Sequence, residues 1–335
     1  MVNNLRKIRI AGIGHYAPEK IMTNQDFEKI VETSDEWITT RTGIKRRHFV
    51  NDSQATSDMA IEASKEALTD AGIKPEDIDL IILGTASPDM FFPSSACLVA
   101  DKLGCVNATA FDLSAGCSGF IYSLSIATQY LRTGYYRNIL VIGSETLSRF
   151  TDYSDRETCV LFGDGAGAMV VTTDDAETDA IITIKTGSDG SGGYKLSLPA
   201  GGSRKPASKE TVENHEHYIK MDGKEIYKFA VRICDYMTDN LLKDANLKPE
   251  DINHYLFHQA NLRIIESAVK RINVPNEKVI ITIDEYGNTS SATVPTALSI
   301  SSRSGRIKKN DLILTVVFGA GLTWGGAIIR WNKND

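Results

Sequence analysis

At 335 residues, with 42% hydrophobic and 24% charged residues, the chain can bury a large core and fits either two domains or one duplicated unit. A net charge of -6 argues against nucleic acid as the main partner, so any acidic partner must find a local basic patch. The five cysteines, at positions 97, 105, 117, 159 and 234, lack CxxC spacing and fit a reducing cytoplasm rather than a disulfide framework or zinc site, and no stretch reads as a signal peptide or membrane span.

Residues 7–14, Lys-Ile-Arg-Ile-Ala-Gly-Ile-Gly, predict a first strand. With Ala17 they imitate a dinucleotide fingerprint, Gly12-x-Gly14-x-x-Ala17, but Pro18 follows and no helix pattern opens there. Thr56 to Gly72 predicts an amphipathic helix, apolar at Met59, Ile61, Ala63, Ala67 and Leu68, and Leu80 to Thr85 a strand. Next comes Thr109 to Leu131, a strand-like run, then Cys117, then a long apolar segment. Between Asp112 and Arg132 there is no charge, which predicts a helix buried in the middle of the molecule.

Cys117 falls at the N-terminus of that helix, where unpaired N–H groups and the helix dipole favour a thiolate. Most buried cysteines are inert. Here, however, Ala115, Gly116 and Gly119 leave room for other backbone, or a substrate, to approach the sulfur.

The segment Asp70-Ala-Gly-Ile-Lys-Pro-Glu-Asp-Ile-Asp-Leu-Ile-Ile-Leu-Gly-Thr-Ala86 returns as Asp244-Ala-Asn-Leu-Lys-Pro-Glu-Asp-Ile-Asn-His-Tyr-Leu-Phe-His-Gln-Ala260. The echo continues: the Cys117 helix, Gly134–Gly143 and Phe162–Val171 find counterparts in Ser291–Ser302, Gly305–Phe318 and Phe318–Ile329. So long a period means a duplicated α/β unit, not a solenoid. The expected halves are 1–175 and 176–335, packed with pseudo-twofold symmetry so that the Cys117 helix meets the helix near Ser291. Between them, 187–223 is rich in Gly, Ser, Lys and Glu and predicts a flexible insertion with little regular structure. His215 and His217 lie there beside Glu213 and Glu216; a metal reading is open, but a solvated loop explains them with less.

Three stretches of the second half complete the list of candidates. His258, in His258-Gln-Ala-Asn261, departs from its own duplicate at the C-terminal end of a strand, where α/β proteins place ligands; a satisfied core histidine is the alternative. Asn288, in Glu285-Tyr-Gly-Asn-Thr-Ser290, is either a turn residue and cap or an amide pointing at the same cavity. The loop Phe318-Gly-Ala-Gly-Leu-Thr-Trp-Gly-Gly326 either offers a backbone N–H to an oxyanion or simply turns the chain.

Together Ala-Gly-Cys117-Ser-Gly-Phe, His258-Gln-Ala-Asn-Leu-Arg-Ile, Tyr-Gly-Asn288-Thr-Ser, Phe-Gly-Asp-Gly-Ala-Gly and Phe-Gly-Ala-Gly-Leu-Thr-Trp-Gly resemble, in order over the whole chain, the motifs of β-ketoacyl-acyl-carrier-protein synthase III. The resemblance implies a thiolase-like duplicated αβαβα fold, a homodimer, and a Cys117–His258–Asn288 triad. It further implies an oxyanion hole from the N–H groups of Cys117 and Ala320. The implied reaction joins a short acyl-CoA primer to malonyl-acyl-carrier protein, with acyl-CoA a substrate and no separate cofactor, metal, nucleic acid or membrane. Family resemblance also implies CoA contacts at Thr33, Trp37, Arg41 and Arg156, and Phe92 as the partner subunit's contribution to the end of the acyl pocket. Lys228, Arg263, Lys270 and Arg271 are the candidate carrier-protein patch. The chain departs from the common pattern twice: Gly116 stands where the family often has Ala, and Ala320 where it often has Gly.

A thiolase would carry a second cysteine near the last glycine loop, and an elongating synthase a histidine in place of Asn288. The rivals are the same fold and triad in secondary metabolism or with a branched primer, a non-catalytic acyl-CoA binding module, and a nucleotide-dependent oxidoreductase resting on the glycine patterns alone.

Overall fold

The computed structural model describes residues 5–333, so the outermost residues of the two expected halves lie outside the described residues. In chain order the strands are β1 (Arg9–Tyr16), β2 (Lys20–Thr23), β3 (Arg46–Phe49), β4 (Leu80–Gly84), β5 (Thr109–Leu113), β6 (Asn138–Thr146) and β7 (Asp164–Thr172). They continue as β8 (Ile181–Ser188), β9 (Leu196–Ser197), β10 (Lys220–Met221), β11 (His254–Phe257), β12 (Leu312–Gly319) and β13 (Thr323–Arg330).

Two large sheets result, ordered β1-β7-β6-β4-β5 and β11-β12-β13-β8. They share one topology. In the first, β6 is parallel to β4 and antiparallel to β7, which is antiparallel to β1; in the second, β12, β11, β13 and β8 repeat those relations. The counterpart of β5 has shrunk to a single parallel bridge between Tyr255 and Val279.

Because both faces of each sheet are covered, the central strands carry runs of successive buried apolar residues, such as Leu80–Leu83 and Ile139–Ile142, rather than alternating ones. Ile139 and Val141 of β6 point into a core shared with Ile313 and Val317 of β12, while Leu140 and Ile142 point into another against Met59, Ala63 and Ala67. Between the sheets lie the helices Gly119–Thr133 and Thr293–Arg303, through Phe120, Leu124 and Ala127 on one and Val294, Ala297 and Leu298 on the other. The helices Thr56–Ala71 and Ser95–Leu103 cover the outside of the first sheet, and Gly223–Ala245 and Leu262–Ile272 the outside of the second. The layers therefore run α-β-α-β-α, as the resemblance implies.

The helix after Cys117 is buried along its whole length but not all round. Phe120, Leu124, Ala127 and Leu131 are buried, whereas Tyr122, Ser125 and Tyr130 are half-buried and Gln129 is exposed. Absence of charge correctly places the helix between layers but overstates how much of its circumference they cover.

Gly12 and Gly14 serve packing. A Cβ on either would stand 2.3 Å from a backbone oxygen of the helix Thr56–Ala71, that of Ala67 or Ala63, so their absence lets helix and β1 touch. No phosphate-binding turn follows, because β1 continues through both glycines.

The stretch 187–223 carries more regular structure than its composition suggests: a 3-10 turn Gly190–Lys195, the β9/β10 pair and a short helix Lys209–Glu213. Its histidines face protein partners, His215 Nδ1 meeting Asp152 Oδ2 at 2.9 Å and His217 Nε2 meeting Thr211 Oγ1 at 2.9 Å. Among the described residues no cluster of three or more metal-ligating side chains forms, and no helix is long and apolar enough to cross a membrane.

Candidate active site

Cys117 sits in a single 3-10 turn, Gly116–Ser118, immediately before the helix Gly119–Thr133. Gly116 has φ +52°, a region glycine enters without penalty. The last glycine loop closes on the turn from above: a Cβ on Gly319 would lie 2.5 Å from the Cys117 nitrogen, and one on Gly116 would lie 2.8 Å from the nitrogen of Ala320. Thr323 clamps the two together, its hydroxyl donating to Ala115 O at 2.8 Å. Hence the amides of Cys117 and Ala320 belong to one tightly packed junction.

His258 follows β11, its N–H still donating to Val316 O at 2.8 Å, so the sheet ladder fixes its backbone. Its ring is buried edge-on to Phe318, with centroids 5.1 Å apart. Burial pulls its pKa down to about 3, leaving a neutral imidazole at physiological pH. Asn288 is fixed by backbone pairing with the 161–163 segment, its N–H donating to Leu161 O at 2.9 Å and its carbonyl accepting from Gly163 at 3.0 Å. Its side-chain Oδ1 accepts from the Ser290 N–H at 2.9 Å, which turns the amide nitrogen the other way.

Cys117, His258 and Asn288 line one cavity of about 290 Å³, together with Phe318, Gly319 and, toward its mouth, Trp37, Arg41 and Arg263. A smaller cavity of about 110 Å³ opens on the other side of Cys117, walled by Leu147, Phe150, Phe162, Leu196, Leu198 and Ile219. Cys117 therefore lines both a partly charged cavity and a smaller, mainly apolar one.

The surroundings of the thiol pull in two directions. Burial pushes its pKa up to about 12, a Ser290 hydrogen bond opposing the rise and the Glu145 carboxylate adding to it. Burial and the nearby carboxylate therefore work against the thiolate that the helix end favours.

Matches to known families follow this geometry. A model described as 3-oxoacyl-[acyl-carrier-protein] synthase III matches residues 111–190, and its C-terminal companion matches residues 242–331. The β-ketoacyl-[acyl-carrier-protein] synthase III of Caldanaerobacter subterraneus is 58% identical over 97% of this chain and 98% of that protein. This chain belongs to the β-ketoacyl-acyl-carrier-protein synthase III family. The crystal structure of a synthase III from Aquifex aeolicus superposes with a TM-score of 0.89 at 45% identity, covering 96% of this chain and 99% of that one. The priming β-ketosynthase of a polyketide pathway superposes with a TM-score of 0.91, but at 34% identity, over 99% and 98% of the two chains.

Other positions implied by resemblance to the synthase III family divide. Arg41 and Arg156 both lie over the Trp37 ring, their guanidinium carbons 4.9 and 5.4 Å from its centre, so the indole and two cations form one cluster at the cavity mouth. Thr33 lies just before Ser34, the cap of the helix Asp35–Thr42 that carries Trp37 and Arg41, with its hydroxyl buried and unpartnered. Arg263 also lines the mouth, on the helix Leu262–Ile272 capped by Asn261, whose side chain accepts from the Arg263 N–H at 2.9 Å. Lys228 pairs with Glu225 at 2.7 Å and Arg271 with Asp235 at 2.9 Å, leaving both less available than the bare sequence suggests, while Lys270 borders a separate groove. Phe92 is 86% exposed and lines neither cavity of its own chain.

Sequence reasoning missed the walls supplied by the excursion, Leu196, Leu198, Ile219 and Met221. Alternation in Lys195-Leu-Ser-Leu198 and Tyr218-Ile-Lys-Met221 carries the signal, since it is that of half-buried strands. Glu145 and Ser290 were also missed; a glutamate ending an otherwise apolar strand is the visible anomaly.

Proposed function

We propose that this synthase III condenses a short acyl-CoA primer with malonyl-acyl-carrier protein, giving β-ketoacyl-acyl-carrier protein, CoA and carbon dioxide, and so initiates type II fatty-acid synthesis. Convergence of Cys117, His258 and Asn288 on one cavity supports this reading most directly.

In the first half-reaction Cys117 sulfur takes the acyl group from acyl-CoA, a thioester exchange that keeps the carbonyl activated. The primer chain fills the apolar cavity beyond Cys117 and the CoA occupies the mouth near Trp37, Arg41 and Arg156. In the second half-reaction malonyl loses carbon dioxide, and the enolate oxygen accepts hydrogen bonds from His258 Nε2–H and Asn288 Nδ2–H. A neutral imidazole suits this role, since it donates without becoming a competing acid. The carbanion then attacks the acyl-Cys117 carbonyl, whose oxyanion is held by the N–H groups of Cys117 and Ala320; its collapse breaks the carbon–sulfur bond, and the released Cys117 thiolate takes up one proton from solvent. Every bond balances between the two substrates and that proton, so the reading requires no separate cofactor.

A homodimer completes the proposal. β5 is the open edge of the first sheet and only half-buried, and Phe91 and Phe92 beside it are 80% and 86% exposed. A second copy covering that edge would bury them and bring Phe92 to the neighbouring acyl pocket. Carrier protein docks against Arg263 and Lys270, and the reaction is cytoplasmic.

Intact-protein mass spectrometry tests the proposal. Mixing with short acyl-CoAs should add one acyl mass, lost in Cys117→Ala; His258→Ala and Asn288→Ala should retain the acyl group but release no carbon dioxide from malonyl-acyl-carrier protein. An acyl mass persisting in Cys117→Ala would end it.

A further inference from the structure

Glu145 has no part in the reaction as described, yet it is a fully buried carboxyl at the heart of the site. It accepts hydrogen bonds from Ser87 Oγ at 2.6 Å, Ser290 Oγ at 2.9 Å, Ala86 N at 3.0 Å and Thr85 Oγ1 at 3.2 Å. All are donors and favour the anion, while burial pushes the Glu145 pKa up and so makes the carboxylate a better proton acceptor. No ion pair recorded among the described residues includes Glu145. A bare buried carboxylate is expensive to maintain, which asks for a use.

Ser290 links it to the nucleophile. Ser290 is buried with φ +51°, a left-handed conformation uncommon for a residue with a side chain. That conformation lets one residue touch everything: its N–H fixes Asn288, its carbonyl stands 3.0 Å from Thr293 Oγ1, its hydroxyl bonds Glu145, and it lines the small cavity beside Cys117.

We propose that Ser290 and Glu145 accept the thiol proton of Cys117 during acyl transfer from CoA, which makes them a proton relay for the first half-reaction. As Cys117 sulfur attacks the acyl carbonyl, its proton passes to Ser290 Oγ while the Ser290 proton passes to Glu145 Oε1. The S–acyl bond forms at Cys117, the bond to CoA breaks, and CoA leaves as a thiolate. The leaving thiolate then recovers that proton along the same path, restoring Ser290–OH and Glu145 carboxylate. One negative charge is present throughout, moving from oxygen to sulfur to the leaving group, so no new charge is created in the buried site. Proton transfer to His258 instead would separate charge there, and its burial makes it a poor base. The groups facing Glu145 are the hydroxyls and amide named above, the Ser291 hydroxyl and the Cys117 thiol, whose proton must leave as the sulfur attacks.

This inference rests on acylation at Cys117, and its test separates the two. Single-turnover acylation is followed by quenched intact-mass measurement for wild type, Ser290→Ala and Glu145→Gln. Condensation is then measured from acyl-enzyme prepared by long incubation. Ser290→Ala keeps the backbone contacts to Asn288 and Thr293, so it stands even where Glu145→Gln fails to fold. The relay predicts acylation slower by about 100-fold near neutral pH. The deficit should shrink as pH rises and hydroxide replaces the relay, while condensation from preformed acyl-enzyme stays within about threefold of wild type. Acylation at the wild-type rate in Ser290→Ala, or equal losses in both half-reactions at every pH, would overturn the relay while leaving acylation at Cys117 intact. Wild-type protein that takes no acyl group would overturn the proposed function itself.

Discussion

His258 Nδ1 and Thr293 Oγ1 stand 2.8 Å apart, and that contact decides which ring nitrogen carries the proton. The Thr293 hydroxyl has one proton and two acceptors in reach, His258 Nδ1 and the Ser290 carbonyl at 3.0 Å. Donation to the carbonyl leaves the imidazole proton on Nδ1 and a bare Nε2 facing the cavity. Donation to Nδ1 places it on Nε2, the form that can bind an enolate oxygen. Thr293→Ser should therefore condense nearly as wild type, and Thr293→Val should lose at least about tenfold in kcat with little change in KM, measured as carbon dioxide release from malonyl-acyl-carrier protein. Equal activity of the two variants would remove Thr293 from the mechanism.

Burial sets the pH range of the second half-reaction. An exposed histidine is half protonated near pH 6.5, but His258 is held down to about 3, so the neutral donor persists as pH falls below 6.5 and is lost only in strong acid. Condensation from preformed acyl-enzyme should show no acid limb between about pH 5 and pH 8. A midpoint near pH 6.5 in that profile would show that the imidazole is better solvated than its packing indicates.

The two departures from the family pattern form a steric pair. A Cβ at Gly116 would meet Ala320 Cβ at 3.1 Å and its nitrogen at 2.8 Å, so the methyl absent from one position is present at the other. Gly116→Ala should destabilise the protein by about 1–3 kcal/mol, and adding Ala320→Gly should recover part of that loss. Urea denaturation of both single variants and the double variant measures the coupling; strictly additive effects would show that the two positions do not sense each other.

Gly14→Ala offers a control on the apparent dinucleotide fingerprint. Its new methyl would press on the Ala63 carbonyl, so stability should fall by about 1–3 kcal/mol in urea melts. Wild-type protein should show no NADH binding at micromolar concentration. Tight NADH binding that is lost in this variant would return those glycines to a functional role.

Duplication and the central helix were readable in the amino-acid sequence directly, and the order of layers and the grouping of Cys117, His258 and Asn288 were implied by its resemblance to the synthase III family. Each leaves a local mark: a repeated phrase, a run without charge, a histidine where its own duplicate has glycine. The state of the Cys117 thiol, the Ser290–Glu145 link, the Gly116–Ala320 exchange and the apolar walls from 187–223 came only from tertiary structure. Each depends on distances between segments far apart in the chain. Burial and hydrogen bonding act through space with a strength set by tenths of an ångström, whereas periodicity and composition are summed along the chain and carry no such distances.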